Sequence, residues 1–375
     1  MSGLASPLTT YSDVTPQKRI ITDVISLIDP SDAPMVDNLG GLDGASGKFD
    51  FINTPGKVVE WLEDTLIGLT GNLSVSTSAT VVSLTLSDAN NFETGDVVLI
   101  DSEYMWVSAV SAANSTASVT RGFNGSTTVS HAASAAVTKV GQARLEGATS
   151  DPIGFSDRTT GSNYSQIFHQ EIQVSRTQQQ ITQYGIADEL AYQGNKVVPT
   201  LMRLLEKFFF HSTVSSAGTA TAPRVMGGYQ AFVTTNKVSG GTIAQSQFEA
   251  AIQSAYQSGG YGPWDAYCSP TNLKKIKALY DTSAFLKVSR DENTIGMQIE
   301  RILTPYGEVN LILDRWAKDT EIPLIDPKHC GWLTIYPFTQ EPLAKVGDYD
   351  RAEVIGEFTL ALRQNAAHAI LTNVS

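Results

Sequence analysis

Apolar positions along this chain repeat with two different periods, and the points where the period changes divide it. Near the start, Ile20, Ile21, Val24, Ile25 and Ile28 fall on one helical face, with Thr15 placed to cap it, Pro16 in its first turn and Asp29-Pro30 to close it. Pro34 to Gly47 is dense in Gly, Asp and Pro and reads as loop. Residues 1–47 are thus an arm whose amphipathic helix has no domain of its own to cover its apolar stripe. Residues 48–66 read as one or two strands with a turn at Thr54-Pro55-Gly56. From 67 to 141 the chain turns to Ser, Thr, Ala, Gly and Val in short strands. Val81 to Leu86 alternates, Val97–Ile100 and Tyr104–Val107 flank a tight hairpin at Asp101-Ser102-Glu103, and Asn124-Gly125 predicts another hairpin turn. Residues 163–182 resume the earlier style as a long strand expected to pair back on 48–66, which makes 67–141 a small all-β domain inserted into a host hairpin.

A helical region runs from Tyr184 to about His211, with Gly194-Asn195 as a possible break. Its second part carries Val197, Leu201, Leu204, Leu205, Phe208 and Phe209 on one face, and Pro199 either starts that part or kinks a continuous helix. From about 224 to 340 helices and strands alternate: helix Gln245–Ser258, strand Trp264–Cys268, helix Pro270–Tyr280 with Lys274, Lys275 and Lys277, and strand Glu308–Asp314. Strands return from Asp350 to Ser375. The sum is an α+β chain.

Composition narrows the function. Charged residues make up 17% of the 375, against about a quarter in an average soluble domain, as suits a surface largely covered by neighbours. The formal net charge of −12 leaves no basic face to displace counterions from phosphates. That excludes a DNA-binding module but not a container for DNA. Cys268 and Cys330 lie far apart, outside any CxxC, and read as two buried thiols. Met1 to Thr10 lacks the features of a signal peptide, and no apolar run approaches the roughly 20 residues of a membrane span. The expected compartment is cytoplasm.

Candidate chemistry changes little. His131, His169, His211, His329 and His368 include no pair at metal-binding spacing. Gly44 to Lys48 misses the glycine spacing of a phosphate loop, with Phe49 where Ser or Thr must stand. There is no Gly-x-Ser-x-Gly elbow. Glu60, Glu63 and Asp64 beside Trp61 read as a solvated or interface face, and the sequons at Asn72, Asn114 and Asn163 as chance matches in a Ser/Thr-rich chain. Catalytic, cofactor and metal sites are all expected to be absent.

An arm, a long hairpin, a long helix, an α/β region and returning strands resemble the Hong Kong 97-type phage capsid fold. Particular strings are similar to the SU-ten-like major head protein family: Thr10 to Ile20 with Ser31-Asp-Ala-Pro34, Glu60-Trp61 with Asp64, Leu145-Glu146-Gly147, Val174 to Thr177, Ala187 to Gln193, Gly227-Gly228, Val346-Gly-Asp348, and Glu357 to Leu360 with Asn365. The insert's Gly95 to Ile100, Arg121 to Gly125 and His131 are similar to a small β-module of phage virion proteins.

The resemblance implies an N-terminal arm at 1–47, an extended β-hairpin loop at 48–66 and 142–182, and an inserted domain at 67–141. It further implies a peripheral domain with the spine helix at 183–224 and 341–375, and an axial α/β domain at 225–340. Function follows as a major capsid protein self-assembling into hexamers and pentamers of an icosahedral shell around dsDNA, without specific DNA binding and without a membrane. A portal protein and a scaffolding or decoration protein are the other partners, and the place is the virion, assembled in the host cytoplasm. Expected inter-subunit contacts are Ile20, Val24 and Ile28 on the arm, and Trp61, Glu60, Asp64 and Glu146 on the hairpin. The rival reading is a tail or adhesion component using the β insert for binding, which predicts trimers or fibres. An enzyme is third.

Overall fold

Val197, Leu201, Leu205 and Phe209 recur every fourth residue, and this row makes Glu189–His211 one helix of 23 residues. The computed structural model describes residues 32–39, 56–147, 158–181, 185–281 and 301–374. The helix starts where Asp188 Oδ1 accepts the N–H groups of Leu190 at 2.9 Å and Ala191 at 3.2 Å. Gly194-Asn195, a possible break by sequence, does not interrupt it. Gly194 is there for close approach instead, since a Cβ would come within 2.5 Å of the Gln340 side chain. Pro199 lies inside the continuous helix.

The chain divides into two compact units, Met1–Trp61 with Gly161–Ser375, and Leu62–Thr160. In the larger unit a six-stranded sheet has the order Lys237–Gly241, Ala369–Val374, Glu321–Ile325, Trp264–Cys268, Gly307–Leu313, Arg301–Thr304. Every residue of its strand Trp264–Cys268 is buried, because both sheet faces are covered. Trp264, Ala266 and Cys268 meet the helix Gln245–Gln257, and Tyr267 meets the long helix on the opposite side. A second, antiparallel sheet joins Cys330–Leu343, Tyr349–Leu362 and Gln166–Ser175. The long helix packs against both sheets, touching Phe168, Ile172, Phe358 and Trp332 on one and Tyr267 and Ile370 on the other within a single apolar cluster. Phe209 sits at the junction, 5.0 Å from Phe210, 5.3 Å from Tyr229 and 6.3 Å from Trp332 between ring centroids.

Two expectations about this unit need correction. Only Thr159–Tyr164 pairs with Val58–Glu63; Gln166–Ser175 pairs instead with Tyr349–Leu362, and Arg176–Gln180 is a helical turn. The division at 340/341 also fails as drawn. Cys330–Leu343 belongs to the three-stranded sheet, while Ala369–Val374 crosses back into the six-stranded one, because its Ala369, Ile370 and Leu371 need an apolar layer on either side. Asn163, part of a chance sequon, is fully buried. Its amide donates to the Gly227 and Leu360 carbonyls at 3.1 and 2.7 Å and accepts from Gly227 N–H at 2.9 Å.

Residues 32–39 are fixed to the same helix. Met35, Val36 and Leu39 join its apolar cluster, and the fully buried Glu206 accepts the N–H groups of Met35 at 2.7 Å and Val36 at 3.0 Å. Asp314 is buried beside Glu206, and its Oδ2 has no other donor. Burial, then the hydrogen bond and charge of Asp314, push Glu206 far above the usual carboxylate range, so one proton is shared between the two acids at neutral pH.

The smaller unit is a six-stranded antiparallel sheet in the order Thr70–Asn72, Ala136–Gln142, Asp96–Ile100, Glu103–Ser111, Thr116–Thr120, Ser83–Thr85. Beyond its two outer strands Leu73 pairs with Leu86, with Ser74 N–H on Thr85 O and Ser87 N–H on Asn72 O, both at 2.8 Å, so the sheet closes on itself. Leu73, Leu84, Ile100, Met105, Val107 and Val119 fill the inside. Asn124-Gly125 does not join paired strands: Thr116–Thr120 and Ala136–Gln142 are not neighbours. The loop between them is held by buried charge. Arg121 grips Glu103 through Nε at 2.9 Å and Nη2 at 2.6 Å, and also donates to Val129 O. Glu103 further accepts the N–H groups of Gly122 and Val129, while His131 bridges Glu103 at 3.2 Å and Asp101 at 2.7 Å. Burial alone would raise the Glu103 carboxyl, but Arg121, the two N–H groups and His131 outweigh it and bring it down to about 2.

Two predictions follow from these buried acids. Arg121→Ala leaves Glu103 buried and unpaired, and is expected to destabilise residues 62–160 by about 3–5 kcal/mol, read as lost hydrogen-exchange protection of strands 96–100 and 103–111. The contribution of Glu103 is complete above the unfolded carboxyl value near 4.5 and is lost as pH falls toward about 2. Glu206→Ala is expected to cost about 3 kcal/mol in denaturant unfolding and to expose the Met35 and Val36 amides. The sign at Glu206 is opposite, because the folded state holds the extra proton: stability falls as pH rises from near 4.5 toward about 10.

Candidate assembly surfaces

Alternation along Val58–Glu63 decides which side chains the hairpin stem offers outward. Trp61 points inward and is 7% exposed, packed on Leu333 and Ala361 with the Phe232 ring 5.8 Å away. It was expected to reach a neighbouring subunit. Instead the indole anchors the stem to its own chain, because the period of two that exposes Glu60 buries the next residue.

Glu60, Asp64 and Glu146 are all exposed. Asp64 lies 3.6 Å from the equally open Arg158, a pairing worth little in water. Apolar side chains next to these acids in sequence are open too: Leu62 is 68% exposed and Leu66 96%, and Leu145, beside Glu146, is 70% exposed. Leucines so open, beside Glu63 and Asp64, make an acidic and apolar surface of the kind that a partner covers. Ile20, Val24 and Ile28 lie outside the described residues.

The long helix presents the opposite character. On its outer side Lys196, Arg203 and Lys207 share a face with Leu204, which is 49% exposed. Arg203 lies over the Trp316 ring at 6.0 Å and donates to Thr200 Oγ1 at 3.1 Å, and Lys196 lies 5.3 Å from the Tyr192 ring. None of the three cations has an ion-pair partner among the described residues. This basic face was not singled out in the sequence, although the spacing of 196, 203 and 207 carries it.

Other features are less directed. A groove of about 450 Å³ between Gln170–Ser175 and the start of the long helix is lined by four glutamines, Glu171 and Glu189 beside Ile172, Val174 and Val197. Among the described residues no cluster of three or more His, Cys, Asp or Glu side chains could hold a metal, and no helix is long and apolar enough to cross a membrane. Cys268 and Cys330 are both free and buried. His368 is buried and neutral, accepting Asp326 N–H at 3.0 Å on Nδ1 with Nε2 facing Arg363 O.

Comparison with known proteins fits this geometry. Residues 8–375 match the family model described as SU10 major capsid protein. No curated protein matches the chain in sequence. Among solved structures, one from Microbacterium phage Oxtober96 is 10% identical and covers 98% of this chain and 99% of its own, with a TM-score of 0.53. The cyanophage A-1(L) capsid asymmetric unit is 9% identical with the same coverage and a TM-score of 0.55. At such identities the likeness is one of fold, and the family match across nearly the whole length supplies the rest: the chain belongs to the SU10 major capsid protein family, and its function is that of a tailed-phage major capsid protein.

Proposed function

We propose that this capsid protein has the Hong Kong 97-type fold and builds an icosahedral shell of hexamers and pentamers by laying the acidic hairpin region of one copy on the basic face of the long helix of the next. The observation that carries this is the complementarity of two exposed stretches: Leu62 and Leu66 with Glu60 and Asp64, to which Leu145 and Glu146 add a second exposed apolar and acidic pair, against Leu204 with Lys196, Arg203 and Lys207. Complementary charge steers encounter and fixes register, and the leucines supply apolar burial. Symmetric closure sums many modest contacts. In this reading Ile20, Val24 and Ile28 cover a further patch on a neighbour.

The role is structural rather than catalytic. The acidic balance of −12 favours enclosing dsDNA without gripping it. A portal protein, and a scaffold or decoration protein, complete the partners, and the particle assembles in the host cytoplasm. Residues 67–141 project outward and stabilise subunit contacts. Deleting them should lower the temperature at which shells come apart, and unaltered heat tolerance would remove that role.

Negative-stain microscopy and light scattering of the purified chain test assembly itself, with closed shells or rings of five and six expected and a discrete trimer or fibre opposing it. Lys207→Glu should weaken each contact by about 1 kcal/mol and raise the concentration required for assembly about fivefold. Glu60→Lys in the same chain should restore it, whereas two independent, additive losses would show that the surfaces do not meet.

A further inference from the structure

The chain of the larger unit passes strand to strand between its two sheets twice. It leaves the six-stranded sheet at Ile325 and enters the three-stranded one at Cys330, and it returns from Leu362 to Ala369. Each crossing turns its backbone out of both ladders, so its N–H and C=O groups need partners elsewhere. Arg363 N–H donates to His329 O at 2.8 Å, which ties one crossing to the other. The second tie is a side chain. His368 Nδ1 accepts Asp326 N–H at 3.0 Å, and Nε2 donates to Arg363 O at 3.0 Å.

The ring can hold both bonds in one state only. An accepting Nδ1 carries no proton, so the proton sits on Nε2 and the imidazole is neutral. A second proton would face Asp326 N–H, donor against donor, and would place a cation where the side chain has no exposure at all. Asp326 and His329 are the charged or titratable neighbours on the outgoing crossing, with His329 Nδ1 3.1 Å from Asp326 Oδ2. Cys330 follows them, and burial pushes its thiol well up, so it stays neutral. The remaining surroundings are uncharged. Asn236 donates to Ala366 O and His368 O at 2.7 and 2.9 Å, Ser254 of the helix Gln245–Gln257 backs it at 2.8 Å, and Trp264 Nε1 donates to Ala367 O at 2.9 Å. Burial outweighs the Arg363 carbonyl and the Asp326 charge, and lowers His368 from 6.5 to about 4.

We infer that His368 is an acid-operated clasp between the two sheets: its protonation releases Asp326 and frees the two crossings from each other, so that the sheets of one subunit can shift. The clasp lies inside a single chain and stands apart from the proposed surfaces between copies. An opened joint takes a proton near 6.5 and the closed joint near 4, so closure is complete above 6.5 and is lost as pH falls toward 4. The other buried acids do not imitate this. Glu103 acts at lower pH and in the other unit, and Glu206 is loosened by base rather than acid.

The test is hydrogen exchange of the full-length chain read by mass spectrometry at about pH 5 and about pH 8, corrected for the intrinsic rates, in peptides covering Asp326–Cys330 and Leu362–Ala369. Opening of both crossings is expected to be about 30-fold greater at the lower pH, while the buried strand Trp264–Cys268 shows no such rise. His329→Gln should respond as wild type does, and His368→Asn, which offers an acceptor that does not titrate, should lose the response. His368→Gln serves in the same way should the asparagine variant misfold. Crossings that open no more at pH 5 than at pH 8 in wild type overturn the clasp. So does a folded His368→Asn or His368→Gln chain that keeps the full rise, since another group would then be the one that titrates.

Discussion

Both sheets of the larger unit pack on one helix, Glu189–His211, and the rest of that unit is arranged around this shared rod. Its row from Val197 to Phe209 must satisfy two sheets at once. Flat apolar side chains at Phe209 and Phe210 do so by meeting Tyr267 edge to face from both rings, while Phe210 meets Tyr229 edge to face and Phe209 lies tilted against Tyr229 and Trp332. The same helix holds residues 32–39 through Glu206, so one rod sets the positions of two sheets and of the chain segment that precedes them. A shell subunit needs such stiffness, because an error in one subunit's internal geometry is repeated in every copy.

The two units solve the problem of buried charge differently. In Leu62–Thr160 a carboxylate is kept ionised by a guanidinium and backbone donors, which fixes a loop whose one β-bridge among the described residues is that of His131 with Thr77. Under residues 32–39 a carboxyl is kept protonated by a second acid, which lets Glu206 accept from backbone while sharing its proton with Asp314. The first arrangement is loosened by acid and the second by base, and near neutrality both are intact.

Much of this was legible along the chain, because helices and alternating strands write their burial into local periods. The long helix, strand Trp264–Cys268, the Asp101-Ser102 turn and the exposure of Glu60 are of this kind. The inward turn of Trp61 was not, because Val59, Trp61 and Glu63 alternate with Val58, Glu60 and Leu62, and each face then carries two apolar residues and one acid. What a local pattern cannot carry is the partner. Nothing near Asn124-Gly125 announces that Arg121 is committed to Glu103. Nothing in Ala369–Val374 says that it crosses back to the six-stranded sheet. Glu206, between Leu205 and Lys207, reads like any solvated helix carboxylate until Met35 and Val36 arrive from 170 residues away. The basic face of the helix was visible, but its meaning depends on an acidic surface elsewhere in the sequence.

The joining of Leu73 to Leu86 has a consequence for crowding. An open sheet leaves a row of unpaired N–H and C=O groups that templates another chain, and the hazard grows with local concentration. Copies fixed side by side in a shell stand at very high local concentration by construction, and an exposed edge on each would invite strand exchange between neighbours. With the first and last strands already hydrogen-bonded to each other, this unit leaves no open row of backbone donors and acceptors between them for a neighbouring copy to pair with.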